Sequence, residues 1–506
     1  MIQLLHEVRY NEGQNPSDRE ESELKHNRRP LIEALQQHNQ SSPTSFHVPG
    51  HKNGRLFQRG LETLRSAGEW DQTEIRGLDD LYDPRGPLKE AQELLSDLYG
   101  SRESIFLTGG STAGNLIMLY LASLEGKKVL IQRNSHQSIL HGLELFGLTG
   151  VYVEVDKEQV TGVPLGVSKE TLTTALEDHP DTVMVIFTHP TYEGYAGPLK
   201  TLMDLVRARG MISAVDEAHG AHFMSPALPD HAISAGADIV VQSAHKMLPA
   251  LTMGAWLHLG KTAPWHSEKV RRVSQMLQSS SPSYLIMASL DAARSTLACL
   301  DKHVITDQIS EYQKLVRQLT EESAATVMPE NLGEYRRDPY KLPIVSSEEM
   351  KAAVWKAQLE KRFAYPELQG ARHVLLTMPL FEGNRETVFL QSHAVDIFGK
   401  MNETADPLPF RVSPTEEQWT WVSEETSFLH TTFRVAMEKA AGMTSAETIT
   451  PYPPGIPVVR TGTRITQTHI ENLLAAHRSG VAFQTGDRWI HEGVLVYRPT
   501  EGDDDQ

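Results

Sequence analysis

Between residues 46 and 300, short apolar runs alternate with longer amphipathic stretches. The runs fall at 104–107, 129–131, 151–155, 183–187, 211–215, 237–242 and 252–259. They are continuous rather than alternating, the mark of strands covered on both faces. Helical stretches such as Leu199 to Arg209 lie between several of them. Strand alternating with helix predicts an α/β fold with a mostly parallel sheet and helices on both sides. Ligands in such folds sit beyond the carboxyl ends of the strands, so residues just past each run are the first candidates for chemistry.

The flanks read differently. Residues 8–29 are polar, charged and aperiodic, as expected of a mobile arm. Pro30 suits a helix first turn, Leu31, Ile32 and Leu35 give it one apolar face, and Ser41-Ser42-Pro43 ends it. A helix over 301–325 leads into a smaller C-terminal α/β domain, where 372–377 and 388–391 are the expected strands. Pro451 to Pro457 reads as a rigid extended loop. The expected division is an arm and helix (1–45), a large domain (46–325), a small domain (326–500) and a solvated acidic tail (501–506).

Composition narrows the function classes. A net charge of −17 argues against nucleic acid or an anionic membrane as main partner. A single cysteine, Cys299, rules out an internal disulfide framework and suits a reducing cytoplasm. The first residues lack a basic region followed by a long apolar stretch, so no signal peptide is expected. The longest apolar run, Leu116 to Leu124, is far short of the roughly 20 residues that a membrane span needs.

Four stretches past strand ends carry candidate chemistry. Lys246, in Ser243-Ala244-His245-Lys246, follows the run ending at Gln242. A lysine at a buried strand end loses charge and gains nucleophilicity. Gly109-Gly110-Ser111-Thr112 follows the run 104–107 and precedes a helix expected to open at Ala113. Glycines and hydroxyls there form an anion site, or else an ordinary glycine turn with a serine cap. No G-K-[ST] follows at Walker A spacing. His136, in Arg133-Asn134-Ser135-His136, leaves the run 129–131, where its imidazole is either a polar loop residue or a stacking group.

Asp216-Glu217-Ala218-His219-Gly220-Ala221-His222 follows the run 211–215 and admits three readings. A helicase-type nucleotide motif would need an upstream phosphate loop, which is missing. A metal site on Asp216, His219 and His222 would draw too many ligands from one short stretch, and no metal is expected. The third places Asp216 on a pyridine nitrogen, with Ala218 flat beneath the ring. An amine for a Schiff base, a carboxylate for a pyridinium and hydroxyls for a phosphate are what pyridoxal phosphate requires.

Together these stretches resemble the ornithine/lysine/arginine decarboxylase family, whose members share the aminotransferase-like fold type I. The resemblance also runs through Phe46 to Lys52, Thr73-Glu74-Ile75, Gly77-Leu78-Asp79-Asp80-Leu81, Ser281-Pro282-Ser283-Tyr284 and Tyr452 to Pro457. It implies a cofactor, pyridoxal phosphate, carried on Lys246. Asp216 then pairs with the ring nitrogen, while His136 and Ala218 cover its two faces. Gly110, Ser111, Thr112, Ser243 and His245 hold the phosphate, and Lys246 or His245 returns a proton to the substrate carbon. Ser279 or Ser280 reaches the phosphate of a neighbouring subunit, since family sites form at a homodimer interface. His219, Glu74, Asp79, Asp80 and Asp83 are candidates to read a small cationic amino acid.

Two departures stand out. Arg76 replaces the family's usual proline before Gly-Leu-Asp-Asp, and Thr461-Gly462-Thr463 replaces Pro-Gly-Glu. Residues 1–45 are too short for the receiver-like domain of the long bacterial members, so their ring assemblies are not expected. The expected activity is decarboxylation of arginine or lysine, with ornithine a further option, to an amine such as agmatine or cadaverine. An aminotransferase or a Cα–Cβ lyase on the same scaffold is the alternative enzyme, and a non-catalytic binding protein the alternative of another class.

Overall fold

The computed structural model describes residues 25–498 apart from 347, 349–350, 371, 382–383, 401–409, 414–418, 422–430, 452–456, 463, 479 and 485. Most of the expected arm, most of the proline-rich loop, Thr463 and the acidic tail lie outside the described residues. The strands that matter for the site are β1 (Glu103–Leu107), β2 (Lys128–Gln132), β3 (Thr149–Val153), β4 (Thr182–Thr188), β5 (Ile212–Asp216), β6 (Ile239–Gln242), β7 (Ala255–Leu259), β8 (Lys341–Val345), β9 (His373–Thr377) and β10 (Trp419–Trp421). The helices are α1 (Pro30–Gln40), α2 (Gly110–Glu125), α3 (Gln137–Phe146), α4 (Leu199–Ala208), α5 (Tyr284–Ala298), α6 (Lys302–Glu322) and α7 (Asn384–Phe398).

The main sheet has eight strands in the order β1-β7-β6-β5-β4-β2-β3-β10. Strands β3, β2, β4, β5 and β6 run parallel, while β7 is antiparallel to both its neighbours and β10 is antiparallel to β3. Side chains alternate faces along each strand. Val129 and Ile131 join Ile117 and Met118 of α2 in one buried cluster. Leu130 joins Leu202, Met203 and Val206 of α4 in another. Helix α2 lies close on the sheet because of Gly114, where an added Cβ would come within 2.6 Å of Val241.

Two of the expected elements are corrected. Residues 388–391 belong to α7, not to a strand. Val388, Phe389 and Leu390 look like a strand alone, but Leu390, Ala394, Ile397 and Phe398 are buried at helical spacing. Helix α2 opens at Gly110 rather than Ala113, which puts Ser111 and Thr112 in its first turn. Strands β8 and β9 pair antiparallel in a second sheet, flanked by the short strands Thr326–Val327 and Leu368–Gln369.

A directional polar chain crosses the buried floor of the main sheet. Ser104 Oγ lies 2.7 Å from His258 Nδ1, and His258 Nε2 lies 3.0 Å from Gln242 Oε1. Gln242 Nε2 donates to Glu217 Oε2 at 2.7 Å, while Glu217 Oε1 accepts from the Ala232 amide at 2.7 Å. An amide oxygen can only accept, so the His258 proton sits on Nε2 and Nδ1 takes the Ser104 hydroxyl proton. Burial pushes His258 down to about 3, which keeps it neutral. Burial also pushes Glu217 up to about 8, against the two hydrogen bonds that lower it.

This carries a sign for stability. A carboxyl raised in the folded protein binds its proton more tightly folded than unfolded. Stability therefore falls as pH rises from the ordinary carboxylate range toward 8. Glu217→Gln forfeits one accepted bond and is expected to start less stable. Its deficit should shrink steadily in urea titrations between pH 5 and 8, whereas a constant deficit would show that Glu217 is ionised throughout.

Candidate active site

The carboxyl ends of β1, β2, β4, β5 and β6 open on one cavity of about 520 Å³. Gly109–Thr112, Asn134, His136, Thr188, Pro190, Tyr192, Asp216, Ala218, His219, His245 and Lys246 line it from these ends. Thr252 and Met253 of the turn before β7, with Lys341, Glu367 and Thr377 of the second sheet, complete the wall.

Lys246 sits in a short helix, Ala244–Met247, directly after β6. Burial lowers the pKa of its amine, opposed by Asp216 and Glu367, which favour the cation. Its Nζ lies 3.1 Å from His219 Nε2. Asp216 closes β5, and both its carboxylate oxygens are occupied. Oδ2 accepts from Asn115 Nδ2 at 2.8 Å, and Oδ1 accepts from the Ala218 amide at 3.1 Å. His136 caps α3, its Nδ1 taking the Ser138 amide at 3.2 Å. Burial lowers the His136 pKa as well. His245 Nδ1 donates to the Gly254 carbonyl at 3.0 Å, which turns its other ring nitrogen away from that bond.

The residues present fit pyridoxal phosphate. At one end, α2 presents the free amides of its first turn, and Gly110 takes φ +72°, a left-handed conformation suited to glycine. The Gly110 amide itself donates to Met253 O at 2.9 Å, fastening the loop to the turn before β7. Ser243 Oγ is buried with no hydrogen-bond partner among the described residues. Asp216 and Lys246 supply the carboxylate and the amine. Once bound, the cofactor provides the electron sink into which the bond to a departing carboxylate can break. Lys246 would hold the cofactor, Asp216 would keep a proton on the ring nitrogen, and His219 could hold or pass a proton at Nε2.

Other expected residues lie elsewhere. Ser243 is buried behind the wall rather than on it. Ser279 and Ser280 are exposed and off the cavity of their own chain. Glu74, Asp79, Asp80 and Asp83 are also off the wall. Asp79 has a local task, accepting the amides of Arg85 at 2.8 Å, Gly86 at 2.6 Å and Leu88 at 3.2 Å to order the turn into the next helix. Asp83 pairs with Arg85 at 2.6 Å. Among the described residues no group of three or more His, Cys, Asp or Glu side chains could hold a metal, and no helix is long and apolar enough to cross a membrane.

Asn115, Tyr192, Lys341, Glu367 and Thr377 were not anticipated from sequence. Only Lys341 carries a sequence signal, a cation abutting the apolar run of β8, as Lys246 abuts β6.

A lysine, an aspartate and a helix-borne anion site at one edge of a mixed, mostly parallel sheet define a pyridoxal-phosphate enzyme of fold type I. The constitutive lysine decarboxylase of Escherichia coli shares the fold, with a TM-score of 0.72 and 19% identity over 94% of this chain and 82% of that one. Residues 29–370 match the Orn/Lys/Arg decarboxylase major domain, and residues 416–485 match the C-terminal domain of the same family. The chain belongs to the Orn/Lys/Arg decarboxylase family and is a pyridoxal-phosphate-dependent decarboxylase. It is 38% identical to the uncharacterized protein YaaO of Bacillus subtilis over 92% of this chain and 98% of that one. It is 31% identical to the arginine decarboxylase of Halalkalibacterium halodurans over 90% of this chain and 94% of that one.

Asn115 spends both amide hydrogens at the site, one on Asp216 and one on Ser138 Oγ at 2.9 Å. Asn115→Leu removes a bond to a charged group worth about 1.5–3 kcal/mol. Cofactor retention through dialysis, followed by visible absorbance, is expected to weaken by roughly tenfold or more. Retention equal to wild type would show that Asp216 needs no such support.

Proposed function

We propose that this enzyme removes the α-carboxyl group of a basic L-amino acid, with arginine the preferred substrate and agmatine the product. Lysine, giving cadaverine, and ornithine are the weaker substrates of this reading. The observation that carries it is Glu367. Its carboxylate stands on the cavity wall and is exposed to solvent, with Oε1 accepting the Tyr192 hydroxyl at 2.5 Å. A fixed carboxylate at the mouth suits the distal cation of a side chain whose amino-acid end lies at Lys246. Arginine is favoured over lysine because relatives matching about nine-tenths of this chain carry the name arginine decarboxylase, whereas those named lysine decarboxylase match at lower identity. The amine produced would be a polyamine precursor.

The reading includes a homodimer with shared sites. Ser279 lies exposed, its carbonyl accepting the Tyr82 hydroxyl at 2.5 Å, and Ser280 beside it is equally open to a second copy. Sedimentation of the cofactor-loaded protein is expected to give a dimer or a multiple of it.

Arginine, lysine and ornithine offered together to the cofactor-loaded enzyme should yield agmatine first. Glu367→Gln is expected to lower kcat/KM for that substrate by about tenfold, or ~1.4 kcal/mol, chiefly through KM. If none of the three is consumed, the substrate assignment fails while the cofactor assignment stands.

A further inference from the structure

Three basic side chains form a row across the cavity wall, His219 and Lys341 buried and Lys246 half-buried. His219 Nε2 lies 3.1 Å from Lys246 Nζ, and His219 Nδ1 lies 3.3 Å from Lys341 Nζ. Lys341 Nζ also donates to Thr377 Oγ1 at 3.1 Å. Tyr192 packs against the His219 ring at a centroid distance of 4.6 Å, which opposes its swinging out of the row.

The row imposes a proton count. Burial holds His219 well below the usual histidine range, so its ring is neutral at physiological pH. A neutral imidazole has one N–H and one lone pair. It can accept from one lysine only and must donate to the other, so one of the two lysines has to be a free base.

The surrounding charges decide which. Burial lowers the pKa of both lysine amines, and the charge of Lys246 opposes a cation at Lys341; against this, Glu367 before the second sheet's edge strand, Asp338 of the turn before β8 and Glu193 of the loop after β4 all favour the cation at Lys341. Burial pushes Glu193 itself up to about 7, which weakens its share as the pH falls. Asp338 is also engaged by His222, whose Nε2 lies 3.0 Å from Asp338 Oδ2. At Lys246, Asp216 and Glu367 favour the cation against burial. His136 and His245 complete the titratable groups near Lys246, and Lys246 disfavours the charged form of each. Lys341 Nζ also has an acceptor in Thr377 Oγ1 at 3.1 Å, and with these acids that contact places the ammonium on Lys341.

We propose that Lys341 is a positioning residue: its ammonium fixes His219 as the Nε2–H tautomer, and that N–H, aimed at Lys246, keeps Lys246 the free base that takes up the cofactor. Without the Lys341 ammonium, His219 can turn its Nε2 lone pair to Lys246 and stabilise the cation there. This holds whichever amino acid is decarboxylated.

The test is the rate at which cofactor-free, full-length protein takes up pyridoxal phosphate, measured by absorbance as a function of pH. This profile reports the protonation of Lys246 and needs no turnover. Lys341→Met is expected to move the profile about one unit to higher pH, and Lys341→Arg, which stays charged, to leave it in place. Combining Lys341→Met with His219→Phe separates the proposal from a direct charge effect. Acting through His219, the shift should fall to a third or less in that background. His219→Leu serves as a second background, and the comparison is read in whichever keeps the wild-type circular dichroism. An undiminished shift without His219, or no shift in Lys341→Met alone, would overturn the proposal.

Discussion

The chain of hydrogen bonds from Ser104 through His258 and Gln242 to Glu217 is the constraint on which the site depends. It links β1, β7, β6 and the residue after β5, all in the buried interior. Each link needs a donor facing an acceptor, so a slip of any strand would strand several polar groups without partners. Asp216 precedes Glu217, Ser243 follows Gln242, and the anion loop follows β1. The network thus sets the relative height of three strand ends, and that height is the spacing between Asp216, Lys246 and the Gly110 loop.

The cavity wall has two sources. The groups that would hold the cofactor come from the ends of β1, β2, β5 and β6, where the sheet fixes them. Lys341 and Thr377 come from the second sheet, which pairs its strands separately, and Glu367 from the residue before its edge strand. Tyr192 joins them across the gap through its hydroxyl contact with Glu367.

How much of this was legible in the sequence follows from how each residue is held. Lys246, Asp216, His136 and the Gly110 loop each follow a continuous apolar run, and the parallel sheet brings such ends to one edge by topology alone. Lys341 follows the same rule in reverse, opening a buried strand, but its partners lie far off in the chain and no local pattern names them. Asn115 is buried inside α2, where a polar residue looks like any other helix position until its distance to Asp216 is known. Glu367 is an exposed acid in a short loop and gives no sequence signal. The acids at 79, 80 and 83 drew notice through the motif they share, yet Asp79 is spent on backbone amides.

The edge strand β10 has a consequence for how the protein is made. It lies antiparallel on β3, covering the backbone groups at that border of the main sheet. An uncovered edge of this kind is a template for pairing with other chains. On the ribosome, β3 is complete long before residue 421 emerges. At about 5–20 residues per second the border stays open for roughly ten to sixty seconds. The last part of the chain thus doubles as a seal for the first, and a nascent chain cut short before β10 would carry a bare sheet edge into a crowded cell.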